Sequence, residues 1–587
     1  MISSCGGQAP AVSSSAPAIA TSAVAQSTPA NTVSATANAP AKASNRSPLY
    51  QDAAAPVEKR VDDLLARMSL AEKIGQMTQV EKNSLTPNDV TRFGIGSVLS
   101  GGGGYPLSNT KDGWREMVGS FQEAALQTPL AIPLLYGVDA VHGHNNAYGA
   151  TIFPHNIGLG ATGDPELVER IAAATAEELK ATGVNWNFAP VVAVPQDIRW
   201  GRTYEAYGDQ TDLVAALGAA SVRGLQNGIL ATPKHYIGDG GTAFGSATTN
   251  GYLLDQGDTQ MDEATLRRLF LPPYEAAIDA GANSVMVSFS SWNGEKLHGS
   301  RYLLTDVLKD ELDFAGFIVS DWQAIDQLPG DYYSDVITAI NAGIDMVMVP
   351  YDYKNFIATL TQAVEMGDVP LARIDDAVQR ILRVKFAQGI FEQPLPAEPG
   401  ADAGLGAAAH RELAREAVRR SQVLLKNEDQ TLPLAKDLPL IFVAGDAADD
   451  IGVQAGGWTL EWQGKTGDIT PGTTILEGIR ATVSPATRVE YNRYGKFDTV
   501  IDAAGNAAVA DACIVVVGEE PYAEGKGDRA DLALPSREAR MIDRMSEQCR
   551  KTVVLLVSGR PLIVTDYLAS WDALVASWLP GTEGQGV

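Results

Sequence analysis

Gly316-Phe-Ile-Val-Ser-Asp-Trp322 is an apolar run that stops on an acid followed by a large aromatic. The apolar part reads as a buried strand of a parallel sheet, covered on both faces. A carboxylate is costly inside a core, but it suits the carboxyl end of a barrel strand, where barrel enzymes place their chemistry. Seven further runs of strand length flank this one, at residues 77–80, 97–100, 133–139, 185–191, 232–237, 284–289 and 346–349. Helical patterns lie between them. Val57, Val61, Leu64, Leu65 and Met68 recur at helical spacing, as do Ile374, Ala377, Val378, Ile381 and Leu382. Ser69 and Glu72 form a capping-box pattern, and Asp164-Pro165 opens a helix that Gly183 ends. Strands alternating with helices predict an α/β fold, a (β/α)8 TIM-like barrel, with an open doubly wound sheet as the competing architecture.

The full chain has 587 residues, too many for one core. Residues 1–47 read as a lipobox-like start, Ile2-Ser-Ser-Cys5, and an Ala/Ser/Thr/Pro tether. Residues 48–391 are assigned to the barrel, and 392–408 to a Pro/Ala/Gly-rich linker. Residues 409–587 are assigned to an α/β sandwich domain with a mostly parallel sheet, cut short at its C-terminus. The start points to an extracytoplasmic protein, periplasmic or anchored to the outer membrane by a lipid on Cys5. No apolar run is long enough for a transmembrane helix. Acids outnumber bases 71 to 45, a net charge of −26, which disfavours nucleic acid as a partner. Cys513 and Cys549 each precede a strand-like run and are read as buried thiols, with a disulfide between them as the alternative.

Strand ends supply the candidate site. Asp139 ends Leu134-Leu-Tyr-Gly-Val-Asp139, Arg202 follows Trp200-Gly, and Lys234 and His235 end Ala231-Thr-Pro-Lys-His235. A second carboxylate, Glu524, lies in Glu520-Pro-Tyr-Ala-Glu-Gly-Lys-Gly-Asp528, again after a buried strand. Two carboxylates are the parts needed to cut a glycosidic bond. Asp139 would accept hydrogen bonds from sugar hydroxyls, and Arg202 and Lys234 would donate them. Trp322, Trp458 and Trp462 are candidate platforms for the apolar faces of sugar rings. Two other signals are weak. The run Gly101-Gly-Gly-Gly104 lacks the Gly-Lys-Ser/Thr of a phosphate loop, and His142-Gly-His144 lacks a further metal ligand at a recognisable spacing.

From about Pro48 onward the chain resembles glycoside hydrolase family 3, in its β-glucosidase and exo-1,3/1,4-β-glucanase branch. The resemblance rests on Gly137-Val-Asp-Ala-Val-His-Gly143, Trp200-Gly-Arg202, Lys234-His235 and Val287-Ser-Phe-Ser-Ser-Trp-Asn-Gly294. It also rests on Ile318-Val-Ser-Asp-Trp322, Gly456-Gly-Trp-Thr-Leu-Glu-Trp462 and the Glu524 loop. It implies an active site between the two domains and hydrolysis with retention of configuration, releasing glucose from non-reducing ends of β-linked gluco-oligosaccharides. It implies Asp321 as nucleophile and Glu524 as acid/base, with no cofactor and no metal. Asp139, Arg202, Lys234 and His235 match residues that hold the terminal glucose, and Met286 is placed with them as a substrate contact. Trp322 and Trp462 match the pair that sandwiches the next sugar. Phe289 stands where the family usually has tyrosine, and an acid that plant relatives carry soon after Lys234-His235 is missing. The rival readings are a β-N-acetylhexosaminidase of the same family, whose histidine–aspartate dyad is not evident here, and a non-catalytic surface glucan-binding protein.

Overall fold

The computed structural model describes residues 48–396 and 404–587; Cys5 and the lipobox-like start lie outside them. Eight strands of the first half form a ring: β1 (Thr78–Glu81), β2 (Ser97–Ser100), β3 (Leu135–Val138), β4 (Trp186–Asn187), β5 (Leu230–Ala231), β6 (Ser284–Met286), β7 (Phe317–Val319) and β8 (Val347–Met348). β1 pairs in parallel with both β8 and β2, and parallel pairing continues through β3 and β4 to β5. The bridge Tyr236–Val287 joins the continuation of β5 to β6, β6 pairs with β7, and Val319–Met346 returns to β8. The ring is closed and all parallel, so the open-sheet alternative falls away.

Two strands differ from the pattern read in the sequence. The run 185–191 is laddered only over Trp186–Asn187, and the run 232–237 is preceded by the laddered Leu230–Ala231. Pro190 and Pro233 explain both, because a proline has no N–H to give to a ladder. Pairing resumes beyond them through single bridges, Val191–Lys234 and Tyr236–Val287.

Local signals agree with the helices between strands. Ser69 and Glu72 form both bonds of a capping box. The Asp164 side chain accepts from Leu167 N at 3.0 Å, Pro165 occupies the first turn, and Gly183 closes the helix in the left-handed region at φ 85°. A cap of this kind is worth about 1 kcal/mol.

The second half is a six-stranded sheet: β9 (Val423–Asn427), β10 (Leu440–Ala444), β11 (Arg488–Asn492), β12 (Ala512–Gly518), β13 (Thr552–Val557) and β14 (Ala573–Ala576). Its order is β9-β14-β13-β12-β10-β11, and only β9 runs antiparallel. Side chains alternate between two apolar layers. Ile441, Val443, Ile514, Val516 and Val553 lie in one layer, and Phe442, Ala444, Val515, Val517 and Val554 in the other. The first layer also takes in Val141 and Tyr204 from the barrel, so this face of the sheet packs toward it.

Cys513 and Cys549 form a disulfide, with Cα atoms 5.7 Å apart, and are not the buried thiols read from the sequence. The neighbouring strands β12 and β13 run in parallel with Cys513 opposite Thr552, which brings the segment before β13 alongside the start of β12. The bridge closes a loop with a sequence separation of 36. Loop-closure entropy predicts that Cys549→Ser lowers the stability of this domain by about 2–4 kcal/mol. Urea unfolding without reductant checks this, and an unchanged midpoint would refute it.

Candidate active site

The barrel rim carries the polar residues because each follows the carboxyl end of a strand. Glu81 ends β1, Asp139 follows β3, Lys234 and His235 lie just past β5, Met286 ends β6, and Asp321 follows β7. Together with Arg202, Trp322, Trp458, Trp462 and Glu524 they line one cavity of about 880 Å³. All ten residues singled out from the sequence meet there, Glu524, Trp458 and Trp462 from the second domain and the rest from the barrel.

The charged groups are buried in pairs. Lys234 Nζ donates to Asp139 Oδ1 at 2.6 Å. Arg202 is held by Glu205 through two bonds of 2.9 and 3.0 Å, and its Nη1 lies 3.5 Å from Glu524 Oε1. His235 Nδ1 lies 2.5 Å from Asp239 Oδ2, and its Nε2 is 3.6 Å from Asp321 Oδ2. Ser288 Oγ donates to the other Asp239 oxygen at 2.7 Å. Asp321 Oδ1 accepts the Trp322 N–H at 2.7 Å, whereas Oδ2 is buried without a hydrogen-bond partner. The backbone N–H of Asp321 donates to His298 Nε2 at 3.1 Å. Burial pushes the His298 imidazole down to about 3, so it stays neutral and can accept that bond.

Two carboxyls are tuned in different surroundings. Burial raises Asp321, and His235, the Trp322 N–H, Arg202 and Lys234 oppose the rise without cancelling it. Burial pushes Glu524 up to about 8; Arg202 opposes the rise, and the charges of Asp255, Asp321 and Glu205 add to it. Glu524 therefore holds its proton at neutral pH.

Several of these partners escaped the sequence reading. Asp239 lies four residues after His235 and Glu205 three after Arg202, spacings that turns bring together. Asp255 and His298 carry no local signal, because long loops deliver them. A histidine–aspartate pair does exist here, His235–Asp239, although none was evident in the sequence; its free Nε2 faces Asp321.

The glycine run has a packing role. A Cβ on Gly101 would come within 3.0 Å of the Trp322 ring, and one on Gly102 within 2.7 Å of Trp462 Cα. The two tryptophans thus close on a floor of bare backbone. Trp458 is almost fully buried, with Arg202 Cζ and Lys234 Nζ 5.9 and 5.7 Å from its ring centroid. His142 and His144 go to separate partners. His142 Nδ1 lies 3.2 Å from Phe153 O and its Nε2 3.2 Å from Thr459 Oγ1, whereas His144 Nε2 lies 2.9 Å from Thr182 Oγ1. Phe289 lines the cavity, its ring centroid 6.2 Å from that of His298.

Backbone contacts lock the two halves. Asp528 of the second domain accepts four N–H groups, from Gly201, Leu253, Leu254 and Asp255, at 2.7–2.9 Å. Arg560, fully buried, donates to Ile198 O and Arg199 O in the barrel and to Gly527 O in the Glu524 loop. Glu524 itself adopts φ 54°. That conformation costs a non-glycine residue of order 1–3 kcal/mol unless its surroundings enforce it.

Comparison with known proteins agrees with this architecture. Residues 69–384 match the glycosyl hydrolase family 3 N terminal domain, and residues 422–587 match the glycosyl hydrolase family 3 C-terminal domain. The chain is 35% identical to a lysosomal beta glucosidase of Dictyostelium discoideum over 89% of this chain and 69% of the relative. It is 30% identical to a periplasmic beta-glucosidase of Salmonella typhimurium over 89% of this chain and 71% of the relative. Among solved structures, an exo-1,3/1,4-beta-glucanase from a Pseudoalteromonas species is similar, with a TM-score of 0.83 and 40% identity over 90% of this chain and 67% of that one.

Gly201 is the tightest point of the lock, because a Cβ there would stand 1.9 Å from the carbonyl oxygen of Glu524. Gly201→Ala is expected to push the Glu524 loop away and lower kcat/KM by about a hundredfold or more. The fold of each domain should survive. Steady-state kinetics beside circular dichroism checks this, and near-normal kinetics would show the contact to be dispensable.

Proposed function

The chain belongs to glycosyl hydrolase family 3, and we propose that it is a retaining, exo-acting β-glucosidase/exo-β-glucanase in which Asp321 is the nucleophile and Glu524 the acid/base. The observation that carries this reading is the meeting of a barrel-rim carboxylate and a second-domain carboxyl in one cavity, with Arg202 close to Glu524.

The cavity is graded from charged to aromatic. Lys234, His235 and Arg202 are buried, Asp139, Trp322 and Trp462 are half-buried, and Tyr351 is exposed. The buried charges suit the hydroxyls of one terminal glucose, and the aromatic end suits the faces of the sugar that follows. An enclosed polar end with an open aromatic mouth favours cleavage from a chain end over cleavage within a chain.

In the first step Asp321 Oδ2, which has no hydrogen bond to give up, attacks the anomeric carbon. Glu524 gives its proton to the departing oxygen, so the leaving sugar departs as an alcohol. A covalent glucosyl ester of Asp321 results. In the second step the deprotonated Glu524 takes a proton from water as that water attacks the same carbon, and β-glucose and free Asp321 are restored. His235 and Lys234 hold Asp321 toward its ionised form, while burial keeps Glu524 protonated. The oligosaccharide is thus handled by proton transfer and one ester.

The extracytoplasmic setting is part of the same reading. A periplasmic relative and the Ile2-Ser-Ser-Cys5 start support it, with Cys5 as a lipid-anchored residue ahead of the tether. No helix among the described residues is long and apolar enough to cross a membrane.

Asp321→Asn should lower turnover at least about a thousandfold without unfolding the protein; full activity in that variant ends the assignment. Because the acid form of Glu524 is the working one and its pKa is raised, activity should be lost as pH rises past about 8. This basic limb of kcat/KM should vanish in Glu524→Gln on aryl glucosides with good leaving groups. Glu524→Ala should be rescued by azide, and a lack of rescue together with a persisting basic limb would move the acid/base role elsewhere. Product analysis on a panel of linkage-defined gluco-oligosaccharides should find β-glucose as the first product.

A further inference from the structure

The second domain has its own crevice, outside the carboxyl ends of β10 and β12. From β10 the chain passes to β11 on one side and then crosses to β12 on the other, so the strand order reverses between β10 and β12. Crevices at such reversals are where open α/β sheets bind ligands. This one encloses about 480 Å³, within the range of small-molecule sites.

Its floor is Val516, Val517 and the buried Met541, and its walls carry charges of both signs. Most of the acids are already engaged. Asp446 lies 2.8 Å from Arg493 and 3.8 Å from Arg537. Asp450 caps a helix by accepting from Val453 N, and Glu519 lies 3.1 and 3.3 Å from Arg529 and Arg560. The uncommitted groups are few. Lys496, Arg540 and Arg544 line the crevice and form no salt bridge among the described residues. Arg540 and Arg544 lie on one face of the helix Ser536–Ser546, one turn apart. These three basic groups thus lack a charged partner, while the exposed Glu520 at the same crevice reaches only Arg537, at 4.0 Å.

Glu538, on the same helix, is the second observation. It lines the crevice, is only 8% exposed, and its Oε2 is buried with no hydrogen-bond partner. Such an oxygen is costly unless something fills the crevice and bonds to it. Burial pushes this carboxyl up to about 7, in line with a group short of partners. Tyr494, 59% exposed at the rim, adds an aromatic face.

We propose that this crevice binds a hexose bearing an anionic group. The anion pairs with Lys496, Arg540 and Arg544, a ring hydroxyl bonds to Glu538 Oε2, and an apolar sugar face rests on Tyr494. A carboxylate, as in a uronate, and a phosphate, as in a sugar phosphate, share this chemistry. The site is separate from the catalytic cavity, with which it has no lining residue in common.

Calorimetric titration of the full chain tests the proposal, with D-glucuronate, glucose 6-phosphate, glucose and inorganic phosphate as separate probes. At least one charged sugar should bind, and Arg540→Ala/Arg544→Ala should weaken it by about tenfold or more. Glu538→Gln should weaken it severalfold, and glucosidase activity should be unchanged in the arginine variant. Which charged sugar binds distinguishes carboxylate from phosphate recognition. No binding of either charged sugar, unaltered binding in both variants, or inorganic phosphate binding as tightly as glucose 6-phosphate would overturn the proposal.

Discussion

The absence of a side chain at Gly201 is the constraint on which this site depends. It lets the backbone of the Glu524 loop come against the barrel, closer than any Cβ would permit. Asp528 then ties that loop to the barrel through four backbone N–H groups, and Arg560 ties its other flank through barrel carbonyls. Hydrogen bonds to charged groups are each worth about 1.5–3 kcal/mol when well made. A set of this kind fixes a domain interface without needing a large apolar patch. It also holds Glu524 in a left-handed conformation that an unconstrained loop would leave.

The lock brings many acids into one low-dielectric place. Asp139, Asp239, Asp255, Asp321, Glu205 and Glu524 surround Arg202, Lys234 and His235. Buried charges persist only when paired, and here each of the three basic groups faces two or more acids. Arg202 shows how the sharing works. Glu205 fixes the planar fork, which leaves one nitrogen turned toward Glu524 and a charge that also reaches Asp321. The arginine favours ionisation of both, yet at Glu524 desolvation and the acids around it win, and its carboxyl stays protonated. Burial pushes Asp255 up as well, to about 6, against Arg202 and the Trp200 N–H. The asymmetry between Glu524 and Asp321 thus comes from the distribution of neighbours, and both are carboxyls.

Much of this was legible in the chain because it is written locally. Eight strand-length runs alternate with helices, and the polar residues at or near the ends of three of them, Asp139, Lys234, His235 and Asp321, point to one rim whether or not the strand limits shift. The shifts that occurred trace to Pro190 and Pro233, whose missing donors interrupt ladders without moving the chain off its path. Gly101-Gly-Gly-Gly104 was visible as a motif, but its purpose is to admit Trp322 and Trp462, one of them from another domain, and no spacing rule encodes that. Asp255 and His298 reach the site through long loops, and the pairing of Cys513 with Cys549 depends on which strands become neighbours. Position in three dimensions decides these, and a one-dimensional pattern is silent about it.

The Glu524 loop also links the two crevices of the molecule. It leaves β12 through Gly518, Glu519 and Glu520, which line the second-domain crevice, and reaches the catalytic cavity at Glu524. Glu519 is held between Arg529, Arg560 and the Tyr522 hydroxyl, and Arg560 in turn grips the barrel. The root of the loop is therefore fixed by the same arginine that fixes its tip against Gly201. A displacement at the root has no slack in which to be absorbed before it reaches Glu524. Placing the two carboxyls on separate domains makes their spacing a property of this short braced loop rather than of either core, and the sheet and the barrel need only be rigid enough to anchor its ends.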